Sequence, residues 1–138
     1  GQGSRLGYDG PKGCFPISNV KGKTLFQIFA EKTLCAGQLY GVPLSLAIMT
    51  SSGNHQQTVD FFKEHNFFGL DPDQIDFFMQ DDLPFLDRKG DMFLKSPDEI
   101  AKGPSGNGTA LKFFFDSGLW EKWNRKGIKY AGFIMVDN

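Results

Sequence analysis

The sequence predicts an α/β domain built on a mostly parallel sheet with helices on both faces. Three observations carry that prediction. Segments with apolar residues at helical spacing alternate with short apolar runs, in the order helix, strand, helix, strand, helix, strand. Strands joined by helices of this length form parallel crossovers, and parallel sheets are covered on both sides. The chain has 138 residues, 40% of them apolar and 15 of them Phe, enough for one compact domain with a real core.

Each element follows in order. Residues 1–22 are dense in Gly and Pro and read as loop. Thr24-Leu25-Phe26-Gln27 has the form of a capping box, Thr first and Gln three later. Leu25, Ile28, Phe29, Cys35 and Leu39 then recur at roughly helical spacing, and Gly41 and Pro43 end that helix. Residues 44–49 are a short apolar run, read as a buried strand with the polar turn Thr50-Ser51-Ser52-Gly53 at its exit. Residues 54–65 read as helix, with Asn54 as cap and Val59 and Phe62 on one face. After the turn Asp71-Pro72-Asp73, residues 75–80 give the next strand. A weak hairpin is expected around Arg88-Lys89-Gly90, followed by a second glycine loop at 102–108. Residues 109–126 form one helix or two short ones, with Leu111, Phe114, Phe115 and Trp123 inward. The last strand is expected from Tyr130 to Val136. The paired Phe residues at 61–62, 67–68, 77–78 and 113–115 lack interleaved cations and read as core rather than as stacking platforms for bases.

Composition narrows the function. A net charge of −1 argues against a broad basic face for nucleic acid. No stretch approaches the roughly 18 apolar residues of a membrane span, and no secretory signal pattern opens the chain. Cys14 and Cys35 are too few for a disulfide framework and read as reduced thiols of a cytoplasmic protein. His55 and His65 read as surface residues, and Asp81-Asp82 as a solvated loop, since neighbours on an extended segment point opposite ways. The chain starts inside a glycine turn and stops straight after an apolar run. It is therefore expected to be part of a single domain, truncated at both ends.

The opening turn, GQGSRLGYDGPK, carries the functional argument. Glycines let successive backbone N–H groups converge on an anion. Arg5 adds a planar fork of donors and Lys12 a mobile point charge, which together suit a polyphosphate. The triphosphatase loop fails, because Pro11 precedes Lys12 and no hydroxyl follows it. The dinucleotide fingerprint fails on spacing, and Pro11 and Pro16 forbid an immediate helix, which disfavours a nicotinamide-dependent oxidoreductase. The pattern G-x-G-[ST]-R-[LM]-x-x-x-x-P-K of sugar nucleotidyltransferases is matched by Gly1, Gly3, Ser4, Arg5, Leu6, Pro11 and Lys12.

That loop, Met49-Thr50-Ser51, Met79-Gln80, Pro104 to Gly108 and Val136-Asp137-Asn138 stand in the order seen in UDP-sugar pyrophosphorylases, and the chain resembles that family over essentially its whole length. The strand and glycine that precede the loop in the family, and everything after the Val-Asp-Asn motif, are not in this sequence. The resemblance implies a Rossmann-like, nucleotide-diphospho-sugar transferase fold with the nucleotide above the carboxyl ends of the strands. It implies uridylyl transfer from UTP to a hexose 1-phosphate, N-acetylglucosamine 1-phosphate or glucose 1-phosphate, with release of pyrophosphate. Arg5 and Lys12 would stabilise the β- and γ-phosphates. Gly1, Gln2, Gly3 and Ser4 would line the nucleotide, and Gln80 with the backbone of Gly106 would read uracil. Asn107 would lie near the ribose and sugar, and Asp137 would hold Mg²⁺. Thr50 and Ser51 either line the cleft or simply form a polar strand exit. Gly-Asn-Gly at 106–108 favours the N-acetylglucosamine branch. The competing expectation is a fragment that binds nucleotide without turnover.

Overall fold

A computed structural model of the chain describes residues 2–3 and 6–135. Helix α1 (Leu25–Tyr40) starts where Thr24 Oγ1 accepts the Gln27 N–H at 3.2 Å. Only half of the expected capping box forms, because the Gln27 amide turns forward to Glu31 at 2.9 Å. The buried positions of α1 are Phe26, Ala30 and Gly37. The stripe expected through Cys35 and Leu39 instead faces solvent, so the inward face is rotated toward the small residues that allow close packing.

Strand β1 (Leu46–Thr50) leads through helix α2 (His55–Glu64) to strand β2 (Ile75–Met79), and β1 and β2 pair in parallel. Alternation sends their side chains to opposite faces. Ile48, Ile75 and Phe77 join Phe26, Ala30 and Phe62 on one side. Ala47, Met49 and Phe78 meet Phe113, Phe114, Leu119 and Trp123 on the other. Both faces are thus covered, as the alternation predicts. Phe62 is 0% exposed and meets the rings of Phe26, Phe68 and Phe77 at centroid distances of 5.3, 5.4 and 5.4 Å.

The second face contains a buried charge. Asp76 on β2 accepts from the indole N–H of Trp123 at 2.8 Å and pairs with the ammonium of Lys122. Both carboxylate oxygens are therefore satisfied, which a buried carboxylate requires.

Residues 82–104 form a separate antiparallel set: β3 (Asp82–Pro84) pairs with β6 (Lys102–Pro104), and β4 (Leu94–Ser96) with β5 (Glu99–Ile100). The hairpin expected near Arg88 closes through the Asp87 N–H to the Asp91 carbonyl at 2.9 Å. Helices α3 (Ala110–Asp116) and α4 (Leu119–Arg125) are the two short helices, divided at Ser117-Gly118. Phe114 and Trp123 are inward as expected, but Leu111 and Phe115 are exposed, because the buried stripe of α3 runs through Ala110, Phe113 and Phe114. The expected last strand does not form over Tyr130–Met135, where Tyr130, Phe133 and Ile134 are exposed. Among the described residues Tyr130–Met135 pairs with neither open edge of the β1–β2 pair, and an extended segment without a ladder partner is not a strand.

Candidate nucleotide site

The carboxyl ends of β1 and β2 gather most of the described candidates, and open α/β sheets bind ligands at this end. The glycine turn is tied there by the Gln2 side-chain amide, which donates to the Gly53 carbonyl at 3.1 Å. Gly3 is buried, and its N–H goes to the Gly10 carbonyl at 2.8 Å. Gly3 therefore shapes the turn, and its N–H is not a donor for a ligand. The turn docks on α1 through Gly13, where an added Cβ would stand 2.2 Å from the Phe26 ring. Half-buried Lys12 opens the short 3₁₀ turn Lys12–Cys14. Gly1, Ser4, Arg5 and Asp137 lie outside the described residues.

Gln80 and Gly106, both expected to touch the base, bond directly to one another. The Gly106 N–H donates to Gln80 Oε1 at 2.6 Å. A backbone N–H can only donate, so the amide oxygen is the atom that faces it, and the amide orientation is fixed by chemistry. Nε2 has no hydrogen-bond partner among the described residues and remains a donor. The bond continues the β3–β6 pairing, since the Ser105 N–H donates to the Asp81 carbonyl at 3.0 Å. Gly106 adopts φ 89° and ψ 177°, a region open essentially only to glycine, and a Cβ there would meet nothing within 4 Å. Backbone conformation, not space, demands glycine. Thr109 Oγ1 closes the loop onto the Gly106 carbonyl at 3.2 Å. Exposed Asn107 donates from Nδ2 to Met135 Sδ at 2.7 Å, which brings the second glycine loop to the run that leads toward Asp137.

Thr50 and Ser51 are buried and bonded within the protein, which favours the polar strand exit over the cleft-lining reading. His55 is half-buried, not a surface residue: its Nδ1 meets Thr50 Oγ1 at 2.8 Å. The spacing of a strand-end Thr and a helix-start His five residues on was the signal for this contact. Of the acidic pair, Asp81 is solvated as expected, whereas Asp82 is half-buried in β3 and accepts the Ser52 hydroxyl. A concavity of about 700 Å³ beside the site is lined by Ser52, Asp82, Lys95, Glu99 and Lys102 among others, with both charges present. It lies off the Gln80–Gly106 pair. The described residues contain no group of three or more His, Cys, Asp or Glu side chains that could hold a metal. A single carboxylate still suits Mg²⁺, which retains waters and draws its other ligands from phosphates. Cys14 is buried and its thiol is pushed up to about 11 by that burial, which makes it an inert packing residue rather than a nucleophile. No described helix is long and apolar enough to cross a membrane.

The sequence model of the UTP–glucose-1-phosphate uridylyltransferase family matches residues 1–138. The chain is 42% identical to UDP-N-acetylglucosamine diphosphorylase 2 of Arabidopsis thaliana over all of its own length and 30% of that protein's. It is 41% identical to UDP-N-acetylglucosamine pyrophosphorylase of Saccharomyces cerevisiae, again over all of its length and 30% of that protein's. Among solved structures, a putative UDP-N-acetylglucosamine pyrophosphorylase from Entamoeba histolytica superposes with a TM-score of 0.82 at 35% identity. That match covers 94% of this chain and 34% of the other. The chain thus spans about 30% of the length of the curated relatives it matches.

Proposed function

The chain belongs to the UTP–glucose-1-phosphate uridylyltransferase family, and from that premise we propose that it carries the nucleotide half of a UDP-sugar-forming site. The proposed reaction is attack of a hexose 1-phosphate oxygen on the α-phosphorus of UTP. One P–O bond forms, the bond to the β-phosphate bridge breaks, and pyrophosphate leaves with the electron pair. No protein nucleophile is required; positioning and charge stabilisation carry such transfers. Arg5 and Lys12 would hold the β- and γ-phosphates and offset the charge that grows on pyrophosphate. Asp137 would hold Mg²⁺, which when bound neutralises charge between the phosphates.

The observation that carries the reading is the Gln80–Gly106 bond. It leaves the Gln80 Nε2 donor unspent at the strand ends, free to meet a carbonyl of uracil. The remaining lone pair of Oε1 can accept the uracil N3–H. Gly106 holds that orientation, and Asn107 beside Met135 supports a role near the ribose or sugar. N-acetylglucosamine 1-phosphate is the proposed acceptor, supported by the names of the relatives and by Gly-Asn-Gly at 106–108. A cytoplasmic setting is supported by two unpaired cysteines.

The test supplies the full-length protein with UTP, Mg²⁺ and each sugar phosphate and reads pyrophosphate. Release with N-acetylglucosamine 1-phosphate is expected. Silence with every sugar phosphate rejects the reading, and UTP binding without release would favour a nucleotide-binding module instead.

A further inference from the structure

Thr50 is 2% exposed and closes β1, and its three polar contacts bracket the strand end from which Gln80 projects. Its hydroxyl donates to the Phe78 carbonyl at 3.0 Å, and its own carbonyl accepts the Gln80 N–H at 2.9 Å. The third contact is His55 Nδ1 at 2.8 Å from the hydroxyl oxygen. A hydroxyl has one proton, and a carbonyl can only accept, so that proton is committed to Phe78. His55 must then be the donor, which selects the Nδ1–H form of its ring.

The local sequence presets this contact. The Ser51 N–H donates to Asn54 Oδ1 at 2.8 Å, and the His55 N–H returns to the Ser51 carbonyl at 2.9 Å. The tight turn brings the first residue of α2 back beside the last residue of β1. The imidazole makes no other hydrogen bond among the described residues, and no metal-ligating cluster there includes it.

We propose that His55 is a positioning residue for base recognition: by donating from Nδ1 to Thr50 it locks the β1–β2 exit and so fixes the Gln80 amide. The proposal rests on the reading of Gln80 as the base-contacting side chain. Loss of one such neutral hydrogen bond should raise KM for UTP by roughly two- to tenfold and narrow the preference for UTP over CTP by a similar factor. Little change in kcat is expected, because the transferred phosphate is not touched.

The experiment uses the full-length protein and two variants, His55→Gln and His55→Leu. Glutamine can still donate to Thr50 and should recover most of the wild-type UTP preference, whereas leucine should not. Nitrogen-15 NMR of the wild-type imidazole at about pH 8.5, above the ordinary histidine range, should find the proton on Nδ1. A bare Nδ1 overturns the proposal, as does a folded His55→Leu protein with unaltered KM and base preference. Should His55→Leu fail to fold, an Nδ1–H ring together with retained UTP preference in His55→Gln supports it, and the opposite of either result sinks it. Wild-type protein that uses neither UTP nor CTP overturns the parent reading and this one together. The NMR result then separates a brace with no nucleotide role from no brace at all.

Discussion

Phe62 on α2 has no exposed surface, while Phe85 and Phe93 in the antiparallel region are 52% and 53% exposed. The contrast extends to whole regions. Around β1 and β2 most strand residues reach one of two aromatic clusters. In the antiparallel region every residue from 83 to 100 is exposed, and the strands hold together mainly through backbone bonds. A shared richness in Phe therefore does not give a shared role, because burial depends on having an element on the other side. The candidate site lies where the two regions meet: Gln80 directly follows the buried strand β2, and Gly106 lies just beyond β6.

That difference predicts a steep gradient of mutational cost. Phe62→Ala, which removes a ring packed against three others, should destabilise by about 3–5 kcal/mol. Phe93→Ala should stay within about 1 kcal/mol. Chemical denaturation of both variants checks the pair, and equal losses would break the comparison. Next in size, Asp76→Ala strips the partner from the buried indole N–H of Trp123 and should cost about 1–3 kcal/mol by the same measurement. Asp76→Asn, which keeps an acceptor for the indole, should lose less.

At the junction the effect should move from stability to ligand. Gly106→Ala forces a φ of 89° on a residue with a Cβ, a local strain of about 1–3 kcal/mol. If the exposed loop relaxes to shed that strain, UTP binding should weaken by roughly tenfold while the melting temperature falls less than in Phe62→Ala; calorimetric titration and thermal melts read the two separately. Smallest is the thiol contrast. Exposed Cys35 should alkylate readily near pH 8, and buried Cys14 only after unfolding, as mass spectrometry would show. Burial raises the Cys14 thiol from 9.0 to about 11, so the neutral form is favoured in the folded chain. Its stabilising effect is complete below pH 9 and is lost as pH rises through 11. Cys14→Ala should flatten the alkaline loss of stability relative to wild type.

Much of this was legible in the sequence, for physical reasons that also mark its limits. The parallel pair followed from periodicity, since β1 and β2 are short apolar runs, interrupted in β2 only by Asp76, that face a cluster on either side. The Thr24 cap followed from a local bond, but its Gln27 half did not, because Glu31 one turn on offered a better partner. Leu111 and Phe115 were misplaced because a short helix of seven residues presents too little period to fix its inward stripe. Tyr130–Met135 reads as a strand by composition, and composition does not say whether the segment docks on a sheet edge. The glycine turn was recognisable from fixed offsets. That Gly3 spends its N–H on Gly10 depends on how the turn closes on itself, and that Gln80 and Gly106 bond to each other depends on closure between distant segments. His55 escaped although its partner is only five residues away, because the Thr50 hydroxyl is buried by the strand pairing and reads in sequence as part of a polar turn.

The most direct test of the central claim is the ratio of kcat/KM for UTP and CTP in wild type and Gln80→Glu. A glutamate can still accept the Gly106 N–H through one oxygen, while its other oxygen replaces the Nε2 donor with an acceptor suited to the amine of cytosine. Wild type should favour UTP, and Gln80→Glu should lose that preference by about tenfold or more and shift toward CTP. An unchanged UTP preference in Gln80→Glu would contradict the claim that the held amide reads the base.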